Sequence, residues 1–242
     1  MTSTLPLKAV VFDCDGVLVD TEPLHYRAFQ EVLQPLDLAF DYDHYLKNYI
    51  GFDDRDAFVE AFREGNRPLD DTTLHGLIEA KGKKLLRIIS AGVSTFPGVA
   101  SLVRELASRG IPLAVASGAL RHEVELFLKV LGIGDAFSVI VAADDVSRSK
   151  PDPETYIAVL KRLREQVGSN HVDPGLCIAI EDTPTGIQSA KSAGLFVIGV
   201  TNSFPAEALR EDADHVVRSL EEINLERMLY FLAEASKRPR NP

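Results

Sequence analysis

The chain has 242 residues, 45% of them hydrophobic and 26% charged, with a formal net charge of −10. That length suits one large domain, or one domain carrying a smaller inserted one, and it is enough to bury a core of good size. A negative surface repels phosphate backbones and anionic headgroups, so neither nucleic acid nor membrane is an expected partner.

No apolar run approaches the roughly 20 residues that span a bilayer. The segment from Met1 to Leu7 lacks the basic-then-apolar pattern of a secretory signal. Two cysteines, Cys14 and Cys177, make no disulfide framework, and the expected location is cytoplasmic. An acidic protein that acts on an anion needs a local positive site, supplied by a metal, by a few lysines, or by both.

In chain order, the first element is the apolar run Lys8 to Phe12, which ends at Asp13. From Asp20 to about Gly92 the patterns are helical only, as in Leu24 to Leu33, Arg55 to Phe62 and Thr72 to Ile89. An interval that long is better read as an inserted helical domain than as a loop. The stretch Ser90 to Gly98 reads as the return hinge. Beyond it, strand-like runs at Ile111 to Ala116, Val139 to Ala143, Cys177 to Ile180 and Phe196 to Val200 alternate with helix-like stretches. Those helices are Val99 to Ser108, Arg121 to Leu131, Pro153 to Arg164 and Thr185 to Ala193, and His215 to Val217 reads as an edge strand.

Strands that are apolar at nearly every position are covered on both faces. Their alternation with helices predicts an α/β fold, a Rossmann-like open parallel sheet. The expected division is a core of residues 1–20 and 93–242 with a helical domain over 21–92. The last residues, after Ser236, are expected to be disordered.

In such sheets ligands bind beyond the carboxyl ends of the strands. Those ends carry Asp13-Cys14-Asp15-Gly16-Val17, then Ser117-Gly118, then Lys150-Pro-Asp-Pro153, then Glu181-Asp182. Carboxylates, a hydroxyl beside free backbone N–H groups, and a lysine are what a phosphoryl-transfer site requires. Each motif also has a plain reading. Asp15-Gly16 could be an ordinary turn. Asp152 and Pro153 could simply start a helix, as could Thr183 and Pro184. Ser117-Gly118 is common in loops. Four plain readings would have to hold at once at four strand ends.

These motifs, with Leu18-Val-Asp20-Thr21 after the first and Thr183-Pro-Thr-Gly186 after the last, resemble the haloacid dehalogenase superfamily. Within it they resemble the phosphatases and mutases that carry a helical cap after the first strand. The resemblance runs from about Lys8 to about Val217. It implies a Mg²⁺-dependent phosphatase acting on a small phosphorylated metabolite, of sugar phosphate or phosphoglycolate type, through an aspartyl phosphate. It makes Asp13 the nucleophile and Asp15 the general acid and base. Ser117, Gly118 and Lys150 hold the phosphoryl group. The metal falls to Asp13, the backbone carbonyl of Asp15 and Asp182, with Glu181 beside them. Gly51, in the cap loop, and His25, at the cap start, would face the substrate, although a packing role suits His25 as well. Cap opening and closing is expected to gate the site.

The stretch Asp20 to His25 also looks like the corresponding region of β-phosphoglucomutase. The cap loop of that mutase carries a lysine before its glycine and an arginine soon after. Here Ile50 precedes Gly51 and Asp54 falls where the arginine should be, which favours the phosphatase. A dehalogenase needs no acid at the position of Asp15, and phosphonate cleavage needs a cap lysine that forms a Schiff base. A non-catalytic phosphometabolite-binding protein is the alternative of another class. Elsewhere, Cys14 is expected to point into the core. Asp53-Asp54-Arg55-Asp56 reads as a solvated face unless it serves the cap loop. Lys81, Lys83, Lys84 and Arg87 read most simply as an exposed helix face, from which one member could reach the substrate.

Overall fold

The structure, a computed structural model, describes residues 7–49, 52, 54–166 and 172–237. It forms two compact units, one made of the chain up to Val19 and from Ser94 onward, the other of Asp20–Val93. In chain order the elements are β1 (Ala9–Phe12), α1 (Glu22–Leu33), α2 (Tyr42–Asn48), α3 (Asp54–Glu64) and α4 (Asp71–Ala91). They continue with α5 (Val99–Ser108), β2 (Leu113–Ala116), α6 (Arg121–Val130), β3 (Phe137–Val141), α7 (Glu154–Gln166) and β4 (Cys177–Glu181). The last are α8 (Pro184–Ser192), β5 (Phe196–Val200), α9 (Ala206–Leu209), β6 (His215–Val217) and α10 (Leu225–Lys237).

The first unit is the α/β core that the alternation predicts. Its six strands lie in the order β3-β2-β1-β4-β5-β6, and every pairing is parallel. β1 is central, with Val11 in register with Ala114 on one side and Ala179 on the other. All positions of β1, β2, β4 and β5 are buried, as their unbroken apolar runs require. Ala9, Val11, Ala114, Ala179 and Val197 pack one sheet face against Tyr156, Val159, Leu160 and Leu163 of α7 and Ile187 and Ala190 of α8. The edge strand β3 is covered: Ile140 O accepts from Arg162 Nη1 at 2.6 Å and Arg121 Nη2 at 2.9 Å, and Ser138 O from Gln166 Nε2 at 2.5 Å. Occupied carbonyls deny another chain a pairing edge.

The second unit is helical and has its own aromatic core. Phe29, Leu33, Tyr45, Tyr49, Phe58, Phe62 and Leu74 are buried together. Asp41 caps α2 by accepting from the N–H of His44, and Asp70 caps α4 by accepting from that of Thr73.

Helices α2, α9 and α10 lie outside the predicted elements. α10 continues to Lys237, and the rest of the tail expected to be disordered lies outside the described residues. The expectation for the group from Lys81 to Arg87 needs correction. Lys83 and Arg87 are exposed, but Lys81 is only 1% exposed. It sits on the buried stripe of α4 with Leu74, Leu85 and Ile88, where its ammonium is met by Asp54 at 2.5 Å. No helix among the described residues is long and apolar enough to cross a membrane.

Candidate active site

β1 stands where the connections turn to opposite sides of the sheet, with β2 on one flank and β4 on the other. That is the switch point at which open α/β sheets bind ligands. Asp13 follows β1 and is fixed by its N–H, which donates to Ile180 O of β4 at 3.0 Å. A tight turn comes next. The N–H groups of Leu18 and Val19 donate to Cys14 O, and that of Gly16 to Val19 O. Gly16 adopts φ +73°, in the left-handed region. A Cβ there would fall inside the Asp182 carboxylate. Cys14 is fully buried, as expected of a small hydrophobe.

Lys150 is the hub of the charges. Its Nζ donates to Asp13 Oδ1 at 2.7 Å, Glu181 Oε1 at 2.6 Å and Ala116 O at 3.0 Å. The last contact ties it to the end of β2, where Ser117 is buried and its N–H donates to Val141 O of β3. Ser117 Oγ accepts from the N–H of Ala119, so the loop wraps its own hydroxyl, and Gly118 is exposed. The Lys150–Pro151 peptide is cis. Asp152 Oδ1 accepts from the N–H of Glu154 at the start of α7.

At the end of β4, Thr183 caps α8 by accepting from the N–H of Gly186, with Pro184 next in the chain. Gly186 must lack a side chain, because a Cβ there would enter the Glu181 carboxylate. Glu181 thus lies against the N-terminal turn of a helix, which favours its negative charge.

Asp13, Glu181 and Asp182 are all buried, and each offers a carboxylate oxygen within 4.8 Å of the others. Burial pushes Asp13 well above the usual carboxylate range; Lys150 opposes the rise, and Glu181, Asp182 and Asp15 add to it. Burial, then the neighbouring Glu181, pushes Asp182 up to about 7. Burial works against the charge of Lys150, yet Asp13 and Glu181 outweigh it and raise its pKa.

Three buried carboxyl groups beside one ammonium, with Asp15 adding its charge from the next turn, call for a further positive charge. The donors are all oxygens, the choice of a hard divalent cation. Among the described residues, the buried Asp182 Oδ1 is without a hydrogen-bond partner, an expensive state for a carboxylate oxygen unless it ligates something. The residues present therefore fit a metal ion.

Of the residues singled out in the sequence, Asp13, Lys150, Glu181 and Asp182 come together directly, with Asp15 and Ser117-Gly118 on the flanking loops at the same sheet edge. His25 belongs to the helical unit. There its Nδ1 lies 2.7 Å from Lys81 Nζ, and burial, then Lys81, drives its pKa down to about 3. Gly51 lies outside the described residues.

Three residues were missed. Tyr156 of α7 is buried and donates to Glu181 Oε1 at 2.6 Å. Asn202 Nδ2 donates to Gly16 O at 2.7 Å, and Ser203 Oγ bonds Asp182 Oδ2. Reading the end of β5 as the other strand ends were read would have found Asn202 and Ser203.

A sequence model of the haloacid dehalogenase-like hydrolase family matches residues 10–200. The chain is 35% identical to protein CbbY of Rhodobacter capsulatus over 80% of this chain and 85% of that one. It is 31% identical to validoxylamine A 7′-phosphate phosphatase of Streptomyces hygroscopicus subsp. limoneus, over 89% and 95%. In structure it is similar to β-phosphoglucomutase from Clostridium difficile, with a TM-score of 0.75, 26% identity, and 96% and 100% of the two chains covered.

Proposed function

The chain belongs to the haloacid dehalogenase-like hydrolases, and from that premise we propose that it is a magnesium-dependent phosphatase that cleaves a small phosphorylated sugar or a similar metabolite. The observation that carries this reading is the buried trio Asp13, Glu181 and Asp182, with Lys150 on the first two and an unpartnered oxygen on the third.

Asp13, the backbone carbonyl of Asp15 and Asp182 would hold Mg²⁺, with Glu181 beside them. Bound there, the ion supplies positive charge that ionises the carboxylates and offsets the charge of the phosphate. Burial alone drives Asp13 toward its neutral form, which is no nucleophile, so its attack depends on opposing charges.

Lys150 favours the ionised form of Asp13 against burial and aims it through its bond to Oδ1. The other Asp13 oxygen attacks phosphorus and the ester P–O bond breaks. Asp15 gives its proton to the leaving alkoxide. Asp15 then takes a proton from water as that water attacks the same phosphorus. The Asp13–phosphorus bond breaks, phosphate leaves, and Asp13 is restored. Ser117 Oγ and the Gly118 N–H would hold phosphoryl oxygens during both transfers.

A sugar-phosphate mutase is the second reading, favoured by the likeness to a β-phosphoglucomutase structure. A mutase passes the phosphoryl group from the aspartate to a free hydroxyl of a singly phosphorylated sugar, so its intermediate carries two phosphates and the site must grip the second. In the helical unit the buried Lys81 is already paired with Asp54, which argues for hydrolysis.

The test is phosphate release from a panel of small phosphoesters, with and without Mg²⁺, with Asp13→Asn as control. Release that needs Mg²⁺ and vanishes in D13N is expected. Conversion of β-glucose 1-phosphate to glucose 6-phosphate without free phosphate would choose the mutase. No turnover of any ester would leave a binding protein.

A further inference from the structure

We propose that the loop after β5 builds the metal site from behind, with Ser203 as a positioning residue for Asp182 and Asn202 as one for the turn that carries Asp15. The proposal rests on the metal site of the preceding reading.

The argument begins with the two oxygens of Asp182. Oδ2 is bonded to Ser203 Oγ, whereas Oδ1 is buried and without a hydrogen-bond partner among the described residues. A carboxylate with both oxygens unattached can rotate about its terminal bond. One with Oδ2 tied to a fixed hydroxyl presents Oδ1 in a single direction. Ser203 thus decides which oxygen of Asp182 is offered as a ligand, which is how outer partners orient metal-binding carboxylates.

Asn202, one residue earlier, does the same for the backbone. Its Nδ2 donates to Gly16 O at 2.7 Å, on the Gly16–Val17 peptide, one peptide beyond the Asp15 carbonyl. The turn there already closes on itself through the N–H groups of Gly16, Leu18 and Val19. The Asn202 contact pins that turn to the far end of β5, 186 residues away in sequence. The loop is itself held: the N–H of Thr201 donates to Val217 O of β6 at 3.0 Å, and that of Asn202 to Val200 O at 2.9 Å. Gly16 is the point where the two contacts converge, since a Cβ there would strike both the Asp182 carboxylate and Ser203 Oγ.

Direct metal binding without substrate tests this, with Mn²⁺ as the probe and free Mn²⁺ read by electron paramagnetic resonance. Wild type must bind one ion; if it binds none, the metal site itself fails and the proposed function with it. Given wild-type binding, Ser203→Ala should raise the Mn²⁺ dissociation constant at least about ten-fold, the scale of losing an outer-shell partner. Ser203→Thr keeps the hydroxyl and should stay within about two-fold of wild type. In turnover, the Mg²⁺ concentration for half-activation should rise with the Mn²⁺ constant in S203A, while KM for the phosphoester at saturating Mg²⁺ holds. Asn202→Ala should weaken Mn²⁺ binding as well. Ser203 is exposed, so its variants should fold, which a thermal melt in chelator checks. S203A and N202A that both bind Mn²⁺ like wild type would overturn the proposal and leave the phosphatase reading intact.

Discussion

A glycine and a tyrosine show how little room the carboxylates have. Gly16 adopts a left-handed conformation that costs other residues about 1–2 kcal/mol, and its missing Cβ leaves the space that Asp182 occupies. Gly16→Ala should therefore lower stability by more than that conformational cost and abolish metal-dependent activity. Urea unfolding and Mg²⁺ titration check both, and an alanine variant that still binds the ion normally would refute the packing argument. Tyr156 acts from the opposite side, its buried hydroxyl donating to Glu181 Oε1 alongside Lys150. Burial first, then Glu181, raises the Tyr156 hydroxyl well above its ordinary pKa, so it remains a donor. Tyr156→Phe keeps the ring and removes one hydrogen bond to a charged group, so a loss of about 1.5–3 kcal/mol in urea unfolding is expected. Legibility at this scale follows chemistry. Asp13, Asp15, Lys150 and Asp182 stand out because charged residues at the ends of apolar strands need a reason. Tyr156 does not, because a tyrosine on the inner face of a helix reads as core, and only the fold brings it under Glu181.

Helix α4 shows what an element's period can reveal and what a run of charges can hide. The cluster Lys81, Lys83, Lys84 and Arg87 looks like a solvated face, but Leu74, Lys81, Leu85 and Ile88 share one stripe at helical spacing. The period marked Lys81 as inward and its charge argued otherwise. The conflict is resolved by partners elsewhere in the helical unit: Asp54 of α3 at 2.5 Å, His25 of α1 at 2.7 Å, and the Phe29 ring 4.8 Å from Nζ. No reading of α4 alone supplies them. Lys81→Met keeps the length and removes the charge, leaving a mostly buried Asp54 without its cation. Breaking such a pair costs ~3–5 kcal/mol, and because the Asp54 side chain is 32% exposed, the low end is expected. The histidine gives this a pH signature. Its folded pKa is depressed to about 3 from an ordinary 6.5, by burial and then by Lys81. The folded state thus binds fewer protons than the unfolded one, and stability falls as pH drops below about 6.5. Removing Lys81 lifts one of the two causes. The loss between about pH 5 and about pH 3 should then be smaller in K81M than in wild type, as urea melts at the two values would show. An unchanged difference would mean that Lys81 does not govern His25.

Across the whole molecule, the formal charge of −10 coexists with a site where acids crowd and the cation-free balance is poor. The α/β core was legible because parallel strands buried on both faces leave unbroken apolar runs, and four of their carboxyl ends carry chemistry. The fifth end, Thr201-Asn202-Ser203, holds no charge, but neither does Ser117-Gly118 at the end of β2, so it was legible by the same rule. The crowding has a consequence for stability. Burial and neighbouring carboxylates hold Asp13 well above its ordinary pKa and Asp182 at about 7 against an ordinary 3.8. Groups with raised folded pKa values bind more protons when folded, so their stabilisation is complete below the unfolded value and is lost as pH rises through the folded one. In chelator, the part of the melting temperature that these groups supply should accordingly fall between about pH 5 and about pH 7, against the opposite trend of His25. Mg²⁺ needs the ionised ligands, so its stabilising effect should grow over that interval. At a hundred times its dissociation constant it adds about 2.7 kcal/mol, which is roughly 5–10 °C for a chain of this length. Asp182→Asn has no charge to lose at that position, so both the fall in chelator and the recovery with Mg²⁺ should shrink. Thermal melts of wild type and D182N, at both pH values, with chelator and with Mg²⁺, decide the matter. Melting temperatures of wild type and D182N that change alike with pH in chelator, or a Mg²⁺ effect equal at the two pH values, would show that these carboxylates are not held protonated by their surroundings and that the ion is not what relieves them.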